Sequence, residues 1–257
     1  MQNKKLFDEI FKEMFKDILQ KFYHLEVEYE IAGNPKHIDF YLEAGNLPIN
    51  DRMVYLKIFQ KYNLIEFKSE GDIFAKDDIL KIHSYLSSFL LSNREKEDHL
   101  HYILICSIKP KLLFKRYHME QIKLGIYYTA GFEIAPVYAV VISELPVEQA
   151  GEAERIRLFQ QKNGLDSYLK ESIVKQRDMK YAILLYREQV QRIAKELGLD
   201  MTAIEERARE IGWISVEEVE REKAKIRKLA EIRKTRWERR KGLQTAIRMK
   251  KKGCELK

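Results

Sequence analysis

Two hydrophobic periods alternate along the first 145 residues of the chain. In segments 6–24 and 76–92 apolar residues recur every three or four positions, which predicts amphipathic helices. In segment 25–31 they recur every second position, which predicts a half-buried strand. Further strands are expected at 37–43, 62–69, 101–108, 125–129 and 136–143.

The order of these segments predicts an α/β fold. It runs helix, three strands, helix, strand, and then a hairpin and helices. Strand signals end at Pro146, so residues 1–146 are expected to form the α/β domain. Residues 147–257 are expected to form a helical C-terminal extension. Its last and longest helix follows Ser215-Val216-Glu217-Glu218, which has the spacing of a capping box.

The positive charge of the chain is concentrated near its C-terminal end. The 257 residues contain 47 Lys and Arg against 40 Asp and Glu, a net charge of +7. Residues 217–257 hold 16 of the basic and 7 of the acidic residues, a net of +9, which leaves −2 for residues 1–216. A basic end on a nearly neutral body favours a polyanionic partner, with nucleic acid the first candidate.

Several classes of protein are disfavoured by the sequence. No apolar run approaches the 18 residues or more that a membrane span needs, so no membrane partner is expected. The N-terminal lysines are followed by Asp8, Glu9 and Lys12 rather than by the apolar core of a secretory signal. The two cysteines, Cys106 and Cys254, have neither zinc-site nor disulfide spacing, which favours a reduced, cytoplasmic protein.

Charged side chains interrupt two of the apolar strands. Glu66 and Lys68 are two positions apart, so both are expected on one face of their strand. Asp39 is expected on the face opposite Ile38, Phe40 and Leu42, and it can converge with Glu66 if the two strands are neighbours. Two carboxylates and a backbone carbonyl suit a hard divalent cation such as Mg²⁺, beside which a lysine can orient or deprotonate water. The alternative is an exposed cross-strand ion pair with no catalytic role.

These residues lie within a longer series of short motifs. The motifs are Asp8-Glu9-Ile10-Phe11-Lys12-Glu13-Met14-Phe15, Ile38-Asp39-Phe40, Leu64-Ile65-Glu66-Phe67-Lys68-Ser69 and Asp77-Asp78-Ile79-Leu80-Lys81-Ile82-His83-Ser84-Tyr85. Later landmarks are Pro110-Lys111-Leu112-Leu113, Gly125-Ile126-Tyr127-Tyr128 and Ser143-Glu144-Leu145-Pro146. In order and spacing, segment 6–146 resembles the PD-(D/E)XK nuclease superfamily, and within it the Rpn-like branch of recombination-promoting nucleases and transposases. It departs from the motif in having Ile38, not proline, before Asp39.

The resemblance implies a restriction-endonuclease-like core and a set of site residues. Asp39 and Glu66 would be metal ligands for Mg²⁺ or Mn²⁺, with the Phe67 carbonyl as a third ligand, and Lys68 would activate water. Such sites often include an acidic residue of the first helix, for which the candidates are Asp8, Glu9 and Glu13.

The activity implied by the resemblance is metal-dependent hydrolysis of DNA phosphodiester bonds, of the mobile-element or recombination type. Some members of the superfamily keep only the fold. The alternative is therefore a catalytically inactive nuclease-fold protein that binds nucleic acid or a protein partner through its basic C-terminal helix.

The basic helix is the second candidate functional element. The residues expected to contact the phosphate backbone of DNA are Arg233, Lys234, Arg236, Arg239, Arg240 and Lys241. One alternative is a solvated helix whose acidic start at 217–222 pairs with neighbouring bases. Another is an oligomerising helix, with the apolar stripe from Val219 to Ile232 as the seam of a homodimer.

Overall fold

The structure is a computed structural model that describes most of the first 200 residues. The described ranges are 4–20, 23–31, 37–44, 57–72, 74–146, 152–160, 162–175 and 178–199, with single helical positions at 201, 202, 204, 221, 224, 228, 231 and 235. The helices are α1 Lys4–Leu19, α2 Lys76–Ser92, α3 Lys111–Tyr117, α4 Lys162–Lys175 and α5 Met179–Glu196. The strands are β1 His24–Glu30, β2 His37–Glu43, β3 Tyr62–Lys68, β4 Leu100–Cys106, β5 Glu120–Lys123, β6 Ile126–Thr129 and β7 Val137–Val141. Short 3-10 helices lie at Arg94–His99, Ile142–Glu144 and Glu152–Phe159.

The seven strands form one mixed sheet, which confirms the predicted α/β class. Their spatial order is β1-β2-β3-β4-β7-β6-β5. β1, β2 and β3 pair antiparallel, whereas β3, β4 and β7 are parallel. β3, α2 and β4 therefore make a crossover unit, the kind that covers a parallel sheet with a helix. The restriction-endonuclease-like arrangement of this core stays a prediction.

Each face of the sheet carries its own hydrophobic core. One core joins α1, α4 and α5 to sheet residues that include Phe40, Ile65 and Phe67. The other joins α2 to residues that include Leu64 and Leu104. Consecutive residues of β3 thus enter opposite cores, as the period of a strand requires.

An aromatic stack fixes the first helix against the third strand. The rings of Phe11 in α1 and Phe67 in β3 lie 3.6 Å apart between centroids and are tilted by only 7°. Phe159 packs edge-on against both rings. Lys12 follows Phe11 in α1, and Glu66 and Lys68 flank Phe67 in β3. The stack therefore fixes the position of Lys12 relative to Glu66 and Lys68.

Described residues of the C-terminal extension as far as Ile204 pack on the α1 side of the sheet. Ile156, Tyr168, Val190 and Ile204 belong to the same core as Phe11. The division of the chain into 1–146 and 147–257 stays a prediction. The six residues expected to contact DNA lie outside the described residues, although positions 221, 224, 228, 231 and 235 are helical and exposed. Among the described helices, none has the length and apolar character needed to cross a lipid bilayer.

Candidate active site

Pairing of β2 with β3 brings Asp39 and Glu66 to neighbouring strands, which is the condition under which the sequence allows them to converge. The strands are antiparallel with Phe40 opposite Ile65, so Asp39 and Glu66 follow at the end of this ladder. The backbone N–H of Phe67 donates a hydrogen bond of 2.8 Å to Asp39 Oδ2. The Asp39 carboxylate is therefore anchored to the Glu66–Lys68 segment. The metal-binding role predicted for the Phe67 carbonyl stays a prediction.

Lys68 lies between two carboxylates on the α2 side of the sheet. Its Nζ is 3.1 Å from Glu66 Oε1 and 3.1 Å from Asp78 Oδ1 in the first turn of α2. All three side chains are largely buried, with Lys68 at 15% exposure. The ion pair that was the alternative interpretation of Glu66 and Lys68 is thus present, but it is buried and shared with a helix.

The Glu66 carboxyl is buried next to other charges. Tyr102 of β4 donates its hydroxyl to Glu66 Oε2 at 3.3 Å. Burial raises the pKa of Glu66, the negative charge of Asp39 raises it further, and Lys68 opposes both. Repulsion of this kind between Asp39 and Glu66 is what a bound cation would relieve.

Asp78 and Lys68 stabilise each other's charged forms. Burial disfavours the ionised Asp78, but the Ala75 N–H and the Lys68 ammonium together hold its pKa below the usual range. Burial likewise disfavours charged Lys68, and the carboxylates of Glu66 and Asp78 outweigh it and raise its pKa. Lys81, one turn further along α2, also reaches Asp78 Oδ1 at 3.1 Å.

A second buried lysine holds a separate group of carboxylates. Lys12 of α1 lies 2.8 Å from Asp39 Oδ1 and 3.0 Å from Asp8 Oδ2, and it also contacts Glu28 of β1. Burial opposes the charge of Lys12, but the carboxylates of Asp39, Asp8 and Glu28 raise its pKa well above the usual value. Asp39 therefore contacts Lys12 directly and is joined to the strand segment of Lys68 through the Phe67 N–H.

Asp8 is an acid of the first helix that reaches this site, through its contact with Lys12. Burial raises its pKa to about 6, although Lys12 acts in the opposite direction. Glu13 lies where its charge acts on Tyr181 of α5 instead. Of the three candidates from the sequence, the contacts therefore favour Asp8 over Glu13. The contact of Asp8 is with Lys12, so a direct metal-ligating role for it stays a prediction.

Glu28 enters the site through an unusual backbone conformation. It lies inside β1 with φ of +55°, between two residues that pair with Phe40 and Ile38 of β2, and thus opposite Asp39. Its carbonyl accepts a hydrogen bond of 3.1 Å from His37 Nδ1. The sequence predicted Ile38 and Phe40 on the same face of β2. In the structure Ile38 packs in the α2-side core and Phe40 in the α1-side core, so the alternation of side chains between the two faces is interrupted here.

Sequence reasoning assigned no role in the site to four of these residues. Lys12 and Asp78 were noted only as parts of motifs, and Tyr102 only as part of an apolar strand. Glu28 was assigned only to the polar face of the alternating strand 25–31. The spacing of Asp8 and Lys12, four apart on a helix, was the one signal available in the sequence.

The chemistry of the donor set suits a divalent cation of the Mg²⁺ type. The site gathers the carboxylates of Asp8, Glu28, Asp39, Glu66 and Asp78 with the ammonium groups of Lys12, Lys68 and Lys81. With all of them ionised the cluster carries a net charge of −2, which one divalent ion would neutralise, and oxygen ligands are those that Mg²⁺ prefers. Within the described ranges, no three His, Cys, Asp or Glu side chains are arranged as a metal site on their own. A metal bound between Asp39 and Glu66 would need backbone or water oxygens as further ligands.

Comparisons with known proteins give no independent assignment. No family model, no curated protein and no solved structure matches the chain.

Proposed function

We propose that the protein is a divalent-metal-dependent endonuclease that hydrolyses DNA phosphodiester bonds at the Asp39, Glu66 and Lys68 site. The observation that carries the proposal is the anchoring of Asp39 to the Phe67 N–H, next to a buried Glu66 whose carboxylate contacts Lys68. Resemblance to the PD-(D/E)XK superfamily, with its mobile-element branch, supports the same chemistry.

Each of the three side chains has a distinct part in this proposal. Asp39 and Glu66 would hold Mg²⁺ or Mn²⁺. Among the described residues, Asp39 Oδ2 is met by the Phe67 N–H and Oδ1 by the Lys12 ammonium, which leaves each oxygen a lone pair for the ion. When bound, the ion would lower the pKa of a coordinated water and offset charge on the scissile phosphate.

Lys68 retains a donor for the substrate. An ammonium group has three N–H donors, and among the described residues Lys68 uses one on Glu66 and one on Asp78. The third is free to orient the attacking water or to donate to a phosphoryl oxygen as negative charge develops there. Asp78 then fixes the direction of the lysine from the first turn of α2.

The test is cleavage of supercoiled plasmid with Mg²⁺ or Mn²⁺ by matched variants. Asp39→Asn, Glu66→Gln and Lys68→Met each remove a charge with little change in size. The controls are Glu171→Gln and Lys175→Met, which make the same changes in an exposed ion pair on α4. We expect the three site variants to lose at least 100-fold in rate and the controls to match the wild type. Equal nicking by all six proteins would point to a contaminating nuclease and reject the assignment.

One observation favours the catalytically inactive alternative. The lysines neutralise much of the carboxylate charge, because Asp39, Glu66 and Asp78 each contact a lysine. In that case the protein would bind nucleic acid through its basic C-terminal segment. Metal-independent DNA binding, with no cleavage by freshly purified wild type, would support this alternative.

A further inference from the structure

A strongly basic segment surrounds helix α3, far along the chain from the basic C-terminal segment. Residues 99–119 contain four Lys and Arg residues and no Asp or Glu, although residues 1–216 as a whole carry a net charge of −2. Lys111, Lys115 and Arg116 are exposed, and none of the three has an ion-pair partner among the described residues. Their positive charge is therefore available to an anion outside the chain.

Helix α3 lies on the same side of the sheet as the lysine of the candidate site. Its Leu113 belongs to the hydrophobic core that joins α2 to the sheet. The hydroxyl of Tyr117, the last residue of α3, lies 3.0 Å from Nε2 of His83 in α2. Lys68 also faces α2, since its ammonium contacts Asp78 in the first turn of that helix. The exposed cations of α3 and the charged groups of the site therefore border the same helix.

The strand that leads into α3 ends beside Lys68. β4 runs parallel to β3, and the N–H of Ser107 donates a hydrogen bond of 2.9 Å to the carbonyl of Lys68. α3 begins at Lys111, four residues after Ser107. Ligands of α/β sheets commonly bind outside the carboxyl ends of parallel strands. α3 therefore starts at the edge of the sheet where a ligand of the site is expected to approach.

Contacts at both ends of α3 hold it against the rest of the molecule. Before the helix, the Lys109 ammonium lies over the rings of Phe114 and Tyr127, and it donates to the Tyr127 hydroxyl at 3.0 Å. At the end of the helix, the ring of Tyr117 stacks on that of Phe132 with 4.0 Å between centroids. A helix that is fixed in this way presents its exposed cations in one arrangement, so less freedom is lost on binding.

We propose that α3 binds the phosphate backbone of double-stranded DNA through Lys111, Lys115 and Arg116, next to the candidate site. This inference rests on the proposed function in so far as DNA is the substrate. Lysine and arginine side chains that meet phosphates release condensed counterions, so these contacts add affinity without sequence preference. The basic C-terminal segment then raises the affinity for DNA in general, whereas α3 holds the duplex beside Lys68.

The test is DNA binding by the full-length chain in which Lys111, Lys115 and Arg116 are all replaced by Gln. This neutral α3 variant keeps a helix propensity close to that of the wild type. Fluorescence anisotropy of a labelled duplex is measured in EDTA, so that metal-dependent cleavage cannot occur. We expect the Kd to rise at least about 10-fold at physiological salt. The slope of log Kd against log salt should fall by about 2–3, since each phosphate contact contributes about 0.9 to it.

A matched control removes the same charge from the other side of the sheet. Lys170 on α4 and Arg187 and Lys195 on α5 are exposed, and both helices pack in the core on the α1 side. Replacement of these three residues by Gln should leave the Kd and its salt dependence close to those of the wild type. Equal losses in the control and in the neutral α3 variant would overturn the inference, because net charge alone would then explain both.

A charge-preserving variant separates phosphate contacts from an effect on folding. Lys111→Arg, Lys115→Arg and Arg116→Lys together keep the charge of α3, so this variant should bind DNA like the wild type. A loss of affinity as large as that of the neutral α3 variant would contradict the electrostatic contact. Wild-type affinity in the neutral α3 variant would overturn the inference directly.

Cleavage of plasmid DNA distinguishes failure of this inference from failure of the proposed function. If the wild type does not cleave but its DNA binding depends on the charge of α3, the enzyme is rejected and the inference is supported. If the wild type cleaves and the neutral α3 variant binds and cleaves equally well, the inference is rejected and the enzyme is retained. With both correct, the neutral α3 variant should cleave with a raised KM, because lost phosphate contacts weaken substrate binding.

Discussion

Replacement of Asp78 by alanine tests whether the first turn of α2 holds the lysine of the candidate site. Asp78 Oδ2 accepts the Ala75 N–H at 2.8 Å, and Oδ1 accepts from Lys68 and Lys81, each at 3.1 Å. Loss of the hydrogen bond that caps the helix costs about 1 kcal/mol. Loss of a charged hydrogen bond to a buried lysine costs about 2 kcal/mol. Since Lys68 keeps Glu66 as a partner, the total loss in the free energy of unfolding for Asp78→Ala should stay at about 3 kcal/mol rather than rise further.

The adjacent Asp77 provides a matched control. It has the same charge in the same helical turn but is exposed. Asp77→Ala should cost about 0.3–1 kcal/mol through the helix dipole alone. In calorimetry we expect Asp78→Ala to lower the melting temperature by about 6–12 °C and Asp77→Ala by less than about 4 °C. Equal shifts would refute the assignment of Asp78 as a buried partner.

The pH dependence gives the same prediction a second test. The pKa of Asp78 is lowered in the folded protein, so its stabilisation is present above the unfolded pKa and is lost as pH falls through the folded value. The difference in stability between wild type and Asp78→Ala should therefore be full at pH 7. It should shrink as the pH falls below about 4. A difference that grew with acidity would contradict the ion pair.

Three further predictions concern the core, the first helix and the basic segment. Phe11→Ala removes the ring stacked on Phe67 and should cost about 3–5 kcal/mol in denaturant unfolding, and a loss below 1 kcal/mol would contradict the stack. The pKa of Asp8 is raised by burial to about 6, so its ionisation costs stability as pH rises from about 4 to 7. The melting temperature of Asp8→Asn should therefore rise relative to wild type over that interval, and a relative fall would reject the burial argument. Truncation after Ile214 should weaken DNA binding in a mobility-shift titration and flatten its salt dependence, and unchanged binding would reject a role for the basic helix.

Helices and strands with a clear period of hydrophobic residues were predictable from the sequence, whereas short helices and strands were not. The predicted bounds of β2 and α2, 37–43 and 76–92, agree with the structure. β5 was missed because its four residues are all exposed and carry no alternation. α3 was missed because segment 110–113 was noted only as a landmark of the resemblance, although Pro110 directly precedes the helix. A seven-residue helix also offers too few turns for a clear period.

The candidate site shows the same division between local and non-local information. Glu66 and Lys68 share a face because residues two apart on a strand do so. The contact of Lys12 with Asp39 depends instead on the position of α1 on the sheet. Packing between distant residues, such as the Phe11–Phe67 stack, fixes that position. Glu28 could not be found at all, since nothing in an alternating strand predicts a left-handed glutamate.

The charges of the site and of the C-terminal segment act over different distances in the proposed function. With all of them ionised, the five carboxylates and three lysines of the site leave a net charge of −2, which repels a phosphate until a cation is bound. The +9 of residues 217–257 attracts DNA over about the Debye length, roughly 8 Å in physiological salt. Metal binding and DNA attraction are then separate steps with different partners. High salt should reduce DNA association far more than it reduces Mn²⁺ binding to Asp39 and Glu66, because buried pairs are screened less than exposed charges.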